Sequence, residues 1–397
     1  MTIGSPLDTR AQALNVQRHW REWSGFFASS TYAADHEIEV NAIRNAVAII
    51  DVSPLFKYRV SGPDAQRLVD RVITRDATKL ARGQVYYTPW CDDHGKVIDD
   101  GTVSRLDDDS YRWTAADPQI RCLRLNARGL DVRIEETSEQ VASLALQGPL
   151  SRDVLEAVTG ESFGDLSYFR RRASRIGDLD IDVSRTGYTG DLGYELWVDA
   201  TRATELWDAL METGRAYALR PAGILALDVV RVEAGLILLE VDYTSSMHAL
   251  IPEQSYSPGE IGLGRLVALD KETPFVGREA LRREAKTGGP CRRLVGLDLD
   301  WVGMERLYAA QDLTPALSSA AWRQQIPVYA GARQVGRATS GTWSPGLKQN
   351  IAIACVEARH EPVGSTLEME WTVEGRRGRV GATVVPLPFY DPPQKRA

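Results

Sequence analysis

Along the chain, stretches in which apolar residues recur at every second position alternate with stretches in which they recur at every third or fourth. Lys57-Tyr58-Arg59-Val60-Ser61 has the period of two that marks a strand, and Gly62-Pro63 breaks it. Asp64 stands where an N-cap belongs, ahead of a helix predicted over Ala65 to Arg71. Strand patterns return at Val85 to Thr88, Thr102 to Arg105 and Tyr111 to Thr114, the last two joined by the polar turn Asp107-Asp108-Asp109-Ser110. The same order recurs further on, with the apolar run Ala142 to Leu146, the breaker Gly148-Pro149, and Ser151 placed to cap a helix over Arg152 to Thr159. Strand, Gly-Pro and helix thus occur twice, which reads as a duplicated α+β unit.

A helix over Ala203 to Tyr217 carries Leu206, Trp207, Leu210 and Met211 at helical spacing, and these read as core. The first 50 residues read as helical and aromatic-rich, ending in the apolar run Ala46 to Ile50. Beyond residue 290 or so the texture changes. Short strands at Arg293 to Leu297, Ile351 to Val356 and Arg379 to Val385 alternate with Gly and Pro turns, the pattern of an all-β module. No low-complexity linker intervenes, so the parts are expected to pack tightly.

Composition narrows the partners. A length of 397 residues exceeds one ordinary core, so two or three domains are expected. No window approaches the roughly 18 apolar residues of a membrane span, and the polar start Met1 to Arg18 lacks the apolar core of an export signal, so cytoplasmic residence is expected. A net charge of −7 argues against nucleic acid as the main partner. The basic run Arg170-Arg171-Arg172 reads as a solvated strand or loop edge, the alternative being a landing place for an anionic ligand tail. Cys91, Cys122, Cys291 and Cys355 form no C-x-x-C pair, and the five histidines form no ligand cluster in sequence, so no metal site is expected. The chemistry must then use carboxylates, tyrosines, arginines or an organic cofactor.

Three segments are dense in such groups. In Gly95-Lys96-Val97-Ile98-Asp99-Asp100-Gly101 two successive acids on a strand point to opposite faces. One of them can face inward for acid–base work, although a plain turn pair has the same spelling. In Arg185 to Leu196, three glycines in seven residues let the backbone approach a flat ligand, Tyr188 can stack or donate, and Glu195 precedes Leu196-Trp197-Val198 on a strand. A buried Glu195 needs a partner, and two adjacent N–H donors such as those of an aminopyrimidinone would suit it. Spacing alone leaves a glycosidase-like carboxylate pair open. In Ala226 to Gly235, Asp228 and Arg231 can pair at i,i+3, or Arg231 can hold a ligand carboxylate.

Taken together these segments resemble the glycine cleavage aminomethyltransferase (T-protein) family and its relatives, the folate domains of dimethylglycine- and sarcosine-oxidising enzymes and the folate-dependent demethylases. The matches run in order from about residue 30 to 385: Asp51-Val52-Ser53, Val97-Ile98-Asp99-Asp100, Leu146-Gln147-Gly148-Pro149, Gly187-Tyr188-Thr189-Gly190 with Gly193-Tyr194-Glu195, and Arg231-Val232-Glu233-Ala234-Gly235. Phe275 to Leu281 and Thr339 to Pro345 complete the set. Each is weak alone; seven in order are specific.

The resemblance implies an α+β, three-domain cloverleaf with a C-terminal β-barrel-like domain and tetrahydrofolate in a central hole. On it the chain divides into residues 1–55 with 140–220, residues 56–139 with 221–285, and residues 286–397. It implies that Asp100 is the catalytic carboxylate and that Glu195, Tyr188, Arg231, Tyr87 and Asp99 surround the cofactor. The implied activity is one-carbon transfer between tetrahydrofolate and a small methylated compound, with an oxidase or carrier protein as a further partner to be tested.

The chain also departs from the T-protein pattern. Pro54-Leu55 replaces histidine and methionine, Gly101 replaces leucine, Thr114-Ala115 replaces valine and asparagine, and Leu227 replaces arginine. Residues Trp301 to Arg323 look like an insertion. These departures place the chain nearer the demethylase branch than true T-protein, whose substrate is lipoylated H-protein. A non-enzymatic folate-binding paralogue would carry a Lys-Gly-Cys-Tyr-x-Gly-Gln-Glu signature, which is absent here. No Gly-x-Gly-x-x-Gly motif follows a strand, so a flavin would sit on another subunit. Trp90, Trp113 and Trp343 fall in or beside matched segments, where pocket lining and core packing both fit.

Overall fold

The structure is a computed structural model, and it describes residues 2–396. Two large open sheets and one closed barrel organise it, beside a small three-stranded sheet near the N-terminus. The first sheet runs Arg171–Ile176, Leu179–Ser184, Gly193–Asp199, Val141–Gln147, Ala48–Asp51 and Arg220–Pro221. The second runs Val85–Cys91, Val97–Asp107, Ser110–Ala115, Phe56–Ser61 and Arg133–Glu136. Six antiparallel strands between Arg292 and Val385 close the barrel, so the α+β class and the C-terminal β-barrel are both present.

The central strand Val141–Gln147 shows why its sequence is a continuous apolar run: both of its faces are covered. Leu144 and Leu146 pack with Val154, Leu155, Leu206, Trp207 and Leu210 of the helices Ser151–Thr159 and Ala203–Gly214. Ala145, between them, faces Ile50 and the helices His36–Asn45 and Ile224–Glu233. That last helix is apolar almost all round because it lies between the first sheet and the barrel, and its packing is with these elements rather than with the second sheet.

The duplicated strand–Gly-Pro–helix turn has one physical cause. Gly62 has φ 122° and Gly148 φ 124°, and a Cβ would stand 2.9 Å from the Asp131 carbonyl oxygen at the first and 2.6 Å from the Ala46 carbonyl oxygen at the second. Only glycine fits either position.

Some local expectations are corrected. The Asp64 carboxylate accepts from the Asp131 amide at 2.8 Å and from Arg67 at 2.7 Å, and caps no helical amide. Ser151 is already helical, and its hydroxyl donates to the Leu192 carbonyl. The N-terminal region is helical only at Asp8–Leu14 and His36–Asn45; Trp20–Trp23 and Phe26–Ser29 form a hairpin, which the aromatic content favours. The α-helix beginning at Ala203 ends at Gly214 and tightens into a 3₁₀ turn over Arg215–Tyr217. Arg171 and Arg172 lie on an edge strand; Arg172 pairs with the exposed Asp165, whereas Arg171 pairs with Asp182 where both side chains are largely covered, so only part of the basic run is a solvated edge. Among the described residues no helix is long and apolar enough to cross a membrane.

Candidate active site

A cavity of about 220 Å³ opens between the two sheets, the segment after helix Ile224–Glu233 and the C-terminal tail. Strand alternation turns Asp99 and Asp100 to opposite sides. Asp99 is fully buried and accepts from the backbone amides of Asp100, Ala116 and Asp117 at 2.7, 3.1 and 3.0 Å. It holds the Ala116–Asp117 turn and does not line the cavity.

Asp100 does line it. One of its oxygens accepts from the Tyr87 phenol at 2.6 Å and the other from the Tyr243 phenol. Burial pushes the Asp100 carboxyl above its ordinary range, and the two phenol donors only partly oppose this. Burial, with the Asp100 charge next in weight, also drives both phenols far up, so they remain donors.

The first sheet supplies another part of the wall. Glu195 lies on Gly193–Asp199 and accepts from the Thr186 hydroxyl. Burial raises its pKa against the opposing effects of Thr186 and the Arg112 charge. Arg112 stacks 4.0 Å from the centre of the Trp197 ring, whose indole N–H donates to Ser184 at 3.1 Å. The Tyr188 hydroxyl is committed to the Ile237 carbonyl, which leaves its ring for a ligand.

The three glycines of this segment are explained differently from the sequence reading. A Cβ on Gly187 or Gly193 would fall 2.1 or 2.3 Å from the Gln147 amide oxygen, and one on Gly190 would fall 2.4 Å from the Ala234 Cβ. They make room for the protein's own packing, Gly187 and Gly193 around Gln147 and Gly190 against Ala234, and all three line the cavity.

Asp100, Tyr87, Tyr188 and Glu195 therefore share one cavity. Arg231 stands apart from it. Its fully buried guanidinium donates to Asp242 at 2.6 Å and to the Ser340 hydroxyl at 2.8 Å, and reaches Asp228 at 3.5 Å, so ion pairing is its observed state. Because Tyr243 follows Asp242, this pair anchors the segment that presents a phenol to Asp100.

Sequence reasoning missed Tyr243, Thr186 and the cavity tryptophans Trp23 and Trp197. Thr186 and Trp197 lay in segments already singled out, but no pattern marked Tyr243 or Trp23. Trp90 and Trp113 are instead an edge-on pair, 5.0 Å apart, in the core beneath the second sheet, and Trp343 packs on Trp301. Histidines without a sequence cluster are likewise rearranged by folding: the fold gathers Asp117, Glu240 and His248, although two of the three are exposed.

The comparisons with known proteins agree with this architecture. Residues 8–271 match the GCVT N-terminal domain and residues 292–391 the glycine cleavage T-protein C-terminal barrel domain. The chain belongs to the glycine cleavage T-protein family. Similar relatives of this T-protein-family chain include the aminomethyltransferase of Symbiobacterium thermophilum, 36% identical with 90% of each chain covered, and that of Moorella thermoacetica, 34% identical with 94% of each covered. A trimethylamine-oxide aldolase of Ruegeria pomeroyi is 36% identical over 94% of this chain, which spans 46% of that longer protein. The crystal structure of aminomethyltransferase T from Bartonella henselae has the same fold, with a TM-score of 0.81, 97% of each chain covered and 22% identity.

Proposed function

We propose that the chain is a tetrahydrofolate-dependent one-carbon transferase, moving a methyl or methylene group between tetrahydrofolate and a small N-, O- or S-methylated compound. The observation that carries this reading is the meeting of two shielded carboxylates from different sheets, Glu195 and Asp100, in one cavity of aromatic and apolar lining.

The residues present fit a reduced pterin. Among the described residues Thr186 is the one side chain that donates to Glu195, so the carboxylate keeps capacity for the paired N–H groups of an aminopyrimidinone. Tyr188 and Trp197 offer ring surface beside it. Bound tetrahydrofolate supplies a nucleophilic ring amine, N5. Asp100, fixed from both sides by Tyr87 and Tyr243, accepts or returns a proton at that nitrogen or at the donor's leaving atom. Its raised pKa brings it nearer the working pH, where such exchange is efficient. Holding donor and acceptor together contributes on the order of 7–11 kcal/mol to such reactions.

The alternative is an aminomethyltransferase acting with lipoylated H-protein, favoured by end-to-end similarity to relatives of that name. Against it, five of the positions that depart from the T-protein pattern, Leu55, Gly101, Thr114, Ala115 and Leu227, line the cavity, whereas Pro54 and the 301–323 insertion do not. Changes concentrated in the wall around the reacting atoms are what a different donor requires. A screen of methylated compounds with tetrahydrofolate, following methyl- and methylene-folate by mass spectrometry, tests the proposal. Reconstitution with H-protein tests the alternative, which alone releases ammonia.

A further inference from the structure

Next to the wall that carries Glu195, two arginines compete for one acid. Arg112, on strand Ser110–Ala115 of the second sheet, reaches Asp182 of the first at 2.7 Å, and Arg171 takes the same carboxylate at 2.7 Å. One positive charge is left over. Nε and Nη2 of Arg112 are closed to solvent and meet no acceptor among the described residues. Arg112 does not line the cavity, but the Trp197 ring on which it stacks, 4.0 Å away, does.

Trp197 is tied to Glu195. The two lie two residues apart on Gly193–Asp199, so they share a face at about 7 Å along the strand. In register, Trp197 stands opposite Asp182 and Glu195 opposite Ser184. The Trp197 indole N–H donates to Ser184 at 3.1 Å, the Ser184 and Thr186 hydroxyls meet at 2.9 Å, and the Thr186 hydroxyl donates to the Glu195 carboxylate. Thr186 gives its one proton to Glu195, so Ser184 gives its own to Thr186, and the chain runs one way, from indole to carboxylate.

From this arrangement we infer that Arg112 is a positioning residue of the cavity: it holds the Trp197 ring at the angle that completes the chain to Glu195, and it sets an unbalanced positive charge beside that carboxylate. The inference rests on the transferase reading of the cavity. A pterin needs its stacking surface and its paired acceptor in one fixed relation, and Arg112 governs both without meeting the ligand.

The other charges nearby have their own roles. Lys57 faces Arg112 from the neighbouring strand, is opposed by Asp51, and with a pKa of about 8 stays charged on the acid limb where a carboxyl titrates. Tyr168 lines the cavity and feels the Glu195 charge, and burial keeps it a neutral phenol. Lys395 and Asp191, also on the wall, pair with Asp391 at 3.6 Å and Arg44 at 3.7 Å.

Titration of the full chain with tetrahydrofolate at stepped pH is the test. Wild-type affinity falls as Glu195 takes up a proton. Arg112→Met removes the positive charge, and the midpoint of that fall is expected about one pH unit higher. Arg112→Lys keeps the charge and should restore the midpoint. Asp182→Asn leaves both arginines unopposed and should move it the other way, to lower pH. An ion pair that merely joins the sheets would weaken binding in Arg112→Met and Asp182→Asn alike with the midpoint in place, and that result overturns the inference. Should Asp182→Asn fold poorly, the Met and Lys variants decide, since Arg112→Met leaves Asp182 paired with Arg171. Wild-type protein that binds folate, with an unmoved midpoint in Arg112→Met, overturns the role of Arg112 alone. Protein that binds no folate overturns the transferase reading, and the role of Arg112 with it.

Discussion

The phenol of Tyr243 donates to the carboxylate of Asp100 across 143 residues of sequence, opposite the donation from Tyr87. The two donors arrive from a strand neighbour and from a loop anchored by the Arg231–Asp242 ion pair. Asp100 is therefore fixed in direction and in proton affinity by groups that no local pattern joins.

Replacing Asp100 with Asn removes the proton acceptor and keeps the shape. Turnover is expected to fall by about a hundredfold or more while folate affinity is retained. Single-turnover assays beside a fluorescence titration of reduced folate check this, and near-normal turnover would exclude the assignment.

Tyr243→Phe and Tyr87→Phe each remove a donor that favours the ionised carboxylate, so the Asp100 pKa rises further from its already raised position. The acid limb of the kcat profile should shift to higher pH in each variant, with activity near neutrality reduced by about tenfold or more, the worth of a hydrogen bond to a charged group. A profile that stays in place would assign the tyrosines to packing.

Glu195→Ala is expected to weaken folate binding by about 10- to 100-fold, the value of charge-assisted hydrogen bonds. Burial raises this carboxyl, and only its ionised form accepts from two N–H groups. Wild-type affinity should therefore fall as pH drops through a value above the ordinary glutamate range, and the dependence should vanish in Glu195→Ala. Titrations at stepped pH measure both.

Asp99 and Arg231 are expected to act on stability. Asp99→Ala strands several buried amides, and Arg231→Met leaves Asp242 as an uncompensated buried charge. Each should cost about 3–5 kcal/mol, read as a lowered unfolding midpoint, with a smaller effect on folate affinity than Glu195→Ala. Selective loss of folate by a fully stable Arg231→Met protein would restore its ligand role.

Lys57 is fully buried, donates to the carbonyls of Ser53 and Leu55 at 2.6 and 2.9 Å, and is brought down by burial to about 8. Its folded pKa lies below its unfolded one, so the unfolded chain binds more protons between them and stability rises with pH across that window. Wild type should gain on Lys57→Met by up to about 3 kcal/mol between pH 7.5 and 10. Urea midpoints at the two ends measure the difference, and equal slopes for both proteins would rule out the effect.

Much of the fold was legible because its causes are local. The period of two at Lys57 to Ser61, the Gly-Pro breakers and the apolar run of Val141–Gln147 each express a neighbour's demand on a short segment. The acid pair was legible for the same reason, since strand alternation sends Asp99 and Asp100 to opposite faces. The caps at Asp64 and Ser151 were not, because a carboxylate or hydroxyl takes whichever donor or acceptor the tertiary fold brings nearest.

By itself the sequence determined the family, the α+β and barrel classes, and the segments from which the cavity is built. Only the tertiary structure decided that Arg231 is spent on Asp242, that Tyr243 completes Asp100, that Trp23 rather than Trp90 meets the cavity, and that Arg112 stacks on Trp197 beside Glu195. The division follows from range. Periodicity and turn chemistry act over a few residues and are written in order, whereas charge pairing and shared burial join residues that become neighbours only when the sheets and barrel pack.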